Sequence, residues 1–425
     1  MISWLFLAAA LVGAWFTVNA YRPLYAPRQA AVVSFFAGWL TTELALHHIA
    51  WQALATAVFI VLGALGAWPG RVALALTLVS WAALLRVYWG ARDAEEIVEQ
   101  ALAAGLGPDY RAAIRPDVAE RFAPRVDWRQ IALPLPIRHP EVERVRNLVF
   151  ARAGGRELRL DVYRRRDRSS RGPTMLYVHG GAWVVGSKND QGLPMLVHLA
   201  ARGWTCVTID YRLSPRATFP DHLVDVKRAI AWVRAHGAEY GANPDFLVVS
   251  GGSAGAHLAS LAALTPNDPE YQPGFESADT AVQGCVAFYG VYDFADRHKL
   301  QRHPGLRRLL ERHVMKVRLR DHPEAFDKAS PIARVHRDAP PFFVIHGDRD
   351  TLAPVGEARR FVATLREKAR TPVAYAEIRG AQHAFELFPS LRATFVIHGV
   401  ERFLAWLYSR WLVERGAGAE RAAVR

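Results

Sequence analysis

Along the first 90 residues the hydrophobic positions run together instead of alternating with polar ones. Residues 2–20, ISWLFLAAALVGAWFTVNA, carry no charge and are long enough to cross about 30 Å of hydrocarbon. Residues 49–68 form a second uncharged run, and residues 72–89 a third in which Arg86 can snorkel toward the headgroups. Residues 30–46 are shorter, with Glu43 near one end. The pattern predicts an all-α transmembrane region over 1–90 with three or four spans. A cleaved signal peptide is the rival for the first run, but the positive stretch that precedes such a peptide is missing.

From 91 to 140 helical patterns such as ARDAEEIVEQALAAGL lead into a Pro-rich connector, LPLPIRHP, which reads as a helical linker contributing to a cap. After 140 the rhythm becomes strand, helix, strand. Eight strand-like runs follow: RNLVFAR, ELRLDVYR, TMLYVHG, TCVTIDY, FLVVSG, QGCVAFYG, PFFVIHG and VAYAEIRG. Helical stretches such as LVDVKRAIAWVRAHG separate most of the later ones. This alternation predicts an α/β domain over 141–412, with a mostly parallel eight-stranded sheet and helices on both faces. A lid insertion is expected at about 293–328 and a C-terminal tail at 413–425. In such sheets, sites form at the carboxyl ends of the strands.

Charge sharpens the division. Residues 1–90 contain only Arg22, Arg28, Glu43, Arg71 and Arg86 as charged side chains. The net charge of +13 is concentrated in residues 297–320, where nine Lys and Arg face the single acid Glu311. No nucleic-acid-binding motif accompanies it, and anionic headgroups explain the excess more economically. In that segment Leu306, Leu309, Leu310, Val314 and Val317 recur at helical spacing, so a lid helix with a charged face is expected. Arg22 and Arg28 make the first loop cytoplasmic under the positive-inside rule. Three spans then leave the large domain inside, four outside. Cys206 and Cys285 sit in strand-like runs and read as buried thiols.

The candidate chemistry begins at Gly251-Gly-Ser253-Ala-Gly255, between the strand FLVVS and the helix AHLASLAAL. G-x-S-x-G in that context is a nucleophile elbow, which holds the serine out of the sheet at a helix N-terminus. A serine needs a base and an orienting acid, and in this arrangement they follow in the order Ser, Asp, His. HGDRD after the seventh strand offers Asp348 and Asp350, and GAQHAF after the eighth offers His383. HGGAW after the third strand offers Gly180 and Gly181 as backbone donors to an oxyanion, joined by Ala254. Asp210 and Arg212 read as braces, His257 as a packed histidine, and His222 with Asp225 as a local capping pair.

With HGGAW, DYRLSP…FP, GANPDFLVVSGGSAGAHLA, HGDRDTLAP and GAQHAF in this order over about 145–410, the chain resembles the hormone-sensitive-lipase-like α/β-hydrolases. Its apolar N-terminal third makes the whole plan similar to membrane-associated actinobacterial carboxylesterases. The resemblance implies Ser253 as nucleophile, His383 as base, Asp350 in preference to Asp348 as the acid, and Gly180, Gly181 and Ala254 as oxyanion donors. It implies a small-molecule or lipid ester as substrate, membrane lipids as neighbours, and no cofactor, metal or nucleic acid. Ala182 departs from the third glycine usual in the oxyanion loop. An amide hydrolase with the same triad and a non-catalytic ligand-binding relative remain alternatives.

Overall fold

The computed structural model describes residues 1–122, 126–167 and 171–423. Residues 123–125 of the expected linker and 424–425 of the expected tail lie outside the described residues. All eight strand-like runs form strands of one sheet: β1 Val142–Ala153, β2 Arg156–Arg165, β3 Gly172–Val178, β4 Thr205–Ile209, β5 Ala242–Gly252, β6 Gly284–Phe288, β7 Phe342–Gly347 and β8 Val373–Ile378. Their order is β1-β2-β4-β3-β5-β6-β7-β8. β1 and β2 run antiparallel to their neighbours; β4, β3 and β5 to β8 are parallel.

Strand periodicity divides the core between the two faces, because successive side chains point to opposite sides. Leu176, Val178, Leu247 and Val249 face the helices Asp221–His236, Ala254–Leu264 and Val355–Lys368. Met175, Tyr177, Phe246 and Val248 face the helices Leu193–Ala201 and Leu391–Ala423. Burying each such Val, Leu or Phe is worth about 1.5–3 kcal/mol, and both faces being covered explains why β3, β4 and β7 are buried throughout. The C-terminal helix continues without a break through residue 423, into the stretch expected as a tail.

The N-terminal runs form helices α1 Ile2–Tyr21, α2 Arg28–Glu43, α3 Ala45–Val61 and α4 Trp68–Gly90. α1 and the run beginning with α4 are apolar and long enough to cross a membrane, whereas α2 and α3 meet at a bend of 93°. Aromatic contacts align the bundle: Trp4 meets Trp68 and Phe6 meets Phe59 at one end. At the other end the Tyr21 hydroxyl donates to the Ala83 carbonyl at 2.7 Å. α1 and α4 are therefore parallel to each other and antiparallel to α3. Helix α5, Asp93–Leu106, belongs to the expected linker yet is no spacer: Ala94, Val98, Ala101 and Leu102 are buried in the core beside β8 and the C-terminal helix.

Candidate active site

The turn from β5 into helix Ala254–Leu264 is as tight as its glycines imply. Ser253 sits at φ 57°, ψ −120°, a conformation that costs about 1–3 kcal/mol for a residue with a side chain. Its N–H is anchored to the Phe288 carbonyl at 2.9 Å. A Cβ at position 255 would lie 2.0 Å from the Val178 carbonyl oxygen, so only glycine lets the helix start this close to β3. Among the described residues the Ser253 hydroxyl has no hydrogen-bond partner, and the serine is partly exposed.

Asp350, just past β7, and His383, just past β8, come together with Nδ1 of the imidazole 2.6 Å from Oδ2 of the carboxylate. Oδ1 accepts from the N–H groups of Leu352 and Ala353, both at 2.8 Å. His346, unremarked in the sequence although it sits in HGDRD, brings Nε2 within 3.2 Å of Oδ2. Burial alone would push the Asp350 carboxyl up. His383 and His346 outweigh it through charge and hydrogen bonding and hold the group well below the usual carboxylate range. Asp348 behaves oppositely: burial raises it, its Oδ1 accepts from the Gly380 N–H at 2.7 Å, and it does not reach His383.

Gln382 couples the two loops, its Oε1 accepting from the N–H of Thr351 at 2.8 Å and of His383 at 2.9 Å. Tyr289, just past β6, packs against both His383 and the glycine that precedes Ser253. Its ring lies 4.5 Å from the His383 ring, and a Cβ at Gly252 would meet it at 2.8–3.1 Å. Its hydroxyl donates to Glu386, a buried carboxyl that burial pushes up to about 7. Neither Tyr289 nor Glu386 is distinguished by a motif.

The oxyanion loop requires one correction. The Gly180 N–H donates to Gln191 Oε1 at 2.6 Å, so that donor is engaged by the protein itself. Among the described residues the N–H groups of Gly181, Ala182 and Ala254 donate to no protein acceptor. Gly181, Ala182 and Trp183 all have positive φ, 113°, 53° and 62°, which accounts for glycine being usual at position 182. Trp183 is buried and pins the loop by donating from Nε1 to His257 Nδ1 at 3.2 Å. His257 is packed as expected, with Nε2 on the Ala329 carbonyl at 2.7 Å, and burial lowers it to about 3.

Asp210 accepts from the Lys188 N–H, and Arg212 forks onto Asp225. The expected His222–Asp225 pair does not form: Arg212 takes the carboxylate, and His222 Nε2 lies 3.1 Å from Ser214 Oγ instead. Both cysteines are free and buried. Among the described residues no three His, Cys, Asp or Glu side chains gather as a metal-ligand set.

A family model described as BD-FAE matches residues 160–365. The chain is 43% identical over 419 residues to the probable carboxylic ester hydrolase LipM of Mycobacterium tuberculosis, covering 95% of this chain and 93% of that one. It is 44% identical to the esterase LipQ of the same organism, covering 76% and 77% respectively. The chain belongs to the hormone-sensitive-lipase-like family of carboxylesterases. Among solved structures, the apo form of Thermogutta terrifontis esterase 2 aligns with this esterase at TM-score 0.51 and 26% identity, covering 65% of this chain and 96% of that one. The propionate-bound form of the same enzyme aligns at TM-score 0.51 over 67% and 97%. The α/β-hydrolase domain thus carries the likeness to solved structures, while the match to LipM, over 95% of this chain, extends into the apolar N-terminal region.

Proposed function

We propose that this esterase is membrane-anchored and works through a Ser253–His383–Asp350 triad and an acyl-enzyme. The observation that carries the reading is the 2.6 Å contact of His383 Nδ1 with Asp350, and Ser253 held on a strained elbow at the end of β5 supports it. The carboxylate keeps the proton on Nδ1, so Nε2 is the atom left to accept the Ser253 hydroxyl proton as Oγ attacks the ester carbonyl. Gly181, Ala182 and Ala254 stabilise the oxyanion, each such donor being worth about 3 kcal/mol. The imidazolium returns its proton to the departing alcohol. Water, deprotonated by His383, then attacks the acyl carbon and releases the acid and the serine.

The anchor is read as three crossings, α1, α3 and α4, with α2 lying outside the bundle. Arg22, Arg28, Arg86 and Arg92 flank the catalytic end of that bundle and Arg71 alone the other, which favours a multi-pass protein with a cytoplasmic catalytic domain.

The test is hydrolysis of a p-nitrophenyl ester series, from acetyl to long acyl, and of a matched anilide, by detergent-solubilised wild type and Ser253→Ala. Ester cleavage lost in the variant supports the reading. Activity retained in Ser253→Ala overturns the nucleophile, and cleavage of the anilide in preference to the ester overturns the bond specificity.

A further inference from the structure

Helix α2 is bound on one side to the catalytic loops and is bare and apolar on the other. The Trp39 indole donates from Nε1 to the carbonyl of Ala384, next to the catalytic histidine, at 2.8 Å. Thr351, next to the catalytic acid, donates its hydroxyl to the Ala31 carbonyl at 3.1 Å. Phe35 stacks on Trp39 at 5.3 Å and turns its ring edge-on to His383 at 6.1 Å. At the helix end Glu43 forms a fully buried ion pair with Arg392 and accepts from Ser390 Oγ at 2.7 Å. On the opposite face Val32, Val33 and Phe36 are exposed, the last two by 52% and 56%.

The ends of α2 fix its level. It is joined through residues 22–27 to the end of α1 and through Leu44, at 93°, to the start of α3. The end of α1 itself touches the catalytic domain, its Ala20 carbonyl accepting from Arg349, between Asp348 and Asp350. Arg302 of the basic segment lies over Tyr25 in the same connection, at 4.2 Å. A helix at right angles to a span and starting where that span ends lies in the plane of the membrane surface. Its apolar outer face and neighbouring arginines are what an interfacial helix needs. One helix diameter, about 10 Å, then separates the acyl-chain region from His383.

We propose that α2 is an in-plane helix seated at the headgroup–acyl boundary, and that the substrate is a membrane-resident lipid ester whose chain reaches Ser253 past Phe35 and Trp39. The proposal rests on the membrane-anchored esterase reading and narrows its substrate class. A soluble ester would have no need of an apolar helix held between the bilayer and the catalytic histidine.

The test uses the full chain reconstituted in vesicles. Both native cysteines are buried, so Val33→Cys and Phe36→Cys take a nitrobenzoxadiazole label selectively, with Glu239→Cys, exposed just before the amino end of the central strand β5, as the aqueous reference. Labels at 33 and 36 should emit to the blue of the reference and be quenched by doxyl-labelled lipid; emission like the reference overturns the in-plane helix. In parallel, Phe36→Asp should lower kcat/KM on a vesicle-borne long-chain ester about tenfold or more, while p-nitrophenyl acetate hydrolysis stays within about twofold. Val33→Ser supplies a milder variant that should move the same ratio in the same direction. Wild type that cleaves the soluble ester and leaves the vesicle ester untouched overturns the substrate class with the triad intact. Folded wild type that cleaves neither overturns the esterase reading on which the proposal stands.

Discussion

Replacing Asp350 by Asn is the most informative change in the catalytic domain, because the two carboxylate oxygens have different partners. Oδ1 accepts from two backbone N–H groups, Leu352 and Ala353 at 2.8 Å, so the amide oxygen of the variant must take that position. Its NH2 group then occupies the place of Oδ2, 2.6 Å from His383 Nδ1 and 3.2 Å from His346 Nε2. Two donors cannot face each other there. His383 must move its proton to Nε2, and the atom that should receive the serine proton is no longer a base. The wrong tautomer in a serine triad lowers kcat by about 10⁴-fold, which is about 5 kcal/mol of transition-state stabilisation.

Asp348→Asn is the matched control. That carboxylate touches the Gly380 N–H at 2.7 Å and not the imidazole, so the expected loss is below about tenfold. The assay is kcat/KM on p-nitrophenyl butyrate, with circular dichroism and melting curves establishing that both variants fold. A loss in Asp348→Asn equal to or larger than that in Asp350→Asn would refute the assignment. Because Asp350 is held well below the usual carboxylate range, the wild-type profile should show no activity loss from its protonation at mildly acidic pH.

Other expectations follow from packing and burial. Gly255→Ala would drive its Cβ to 2.0 Å from the Val178 carbonyl; soluble, active protein from this variant would contradict the elbow geometry. Glu43→Ala strands the buried Arg392 and should cost about 3–5 kcal/mol, seen as a lower melting temperature in detergent. Glu43→Ala with Arg392→Met should recover most of the loss, and no recovery would mean that the pair is not the cause. Glu386 is raised by burial from 4.5 to about 7, so the folded state keeps a proton that the unfolded state releases. Stability should therefore fall as pH rises from about 4.5 to about 7, by up to about 3 kcal/mol. Glu386→Gln should flatten that fall in melting curves taken between pH 5 and pH 8; an unchanged slope would assign it to another group, such as Glu357, which burial raises to about 8.

The catalytic domain was legible because its signals are local. Strand-length apolar runs bounded by glycine, and serine, aspartate and histidine just past the ends of β5, β7 and β8, need no long-range information. What escaped depends on partners far away in the chain. The apolar run around Val32 and Phe35 has nearly the hydropathy of its neighbours, and composition does not distinguish burial against protein from burial in lipid. Its position against Ala384 and Thr351 emerges only in the fold. Gly180 was a reasonable oxyanion donor until Gln191, eleven residues on, captured its N–H. Asp225 was paired with His222 by sequence proximity, whereas Arg212 on the preceding loop holds it. α5 read as linker because half of its apolar positions are alanines, which suit close packing beside β8 better than they announce a core.

We propose that Ser253 is the nucleophile, made reactive by His383 and Asp350. This is tested most directly by treating the folded enzyme with a fluorophosphonate and mapping the adduct by mass spectrometry. A single adduct on the peptide carrying Ser253, absent in Ser253→Ala and formed far more slowly in His383→Ala and Asp350→Asn, is the predicted result. Labelling at another residue, or undiminished labelling without His383, would contradict it.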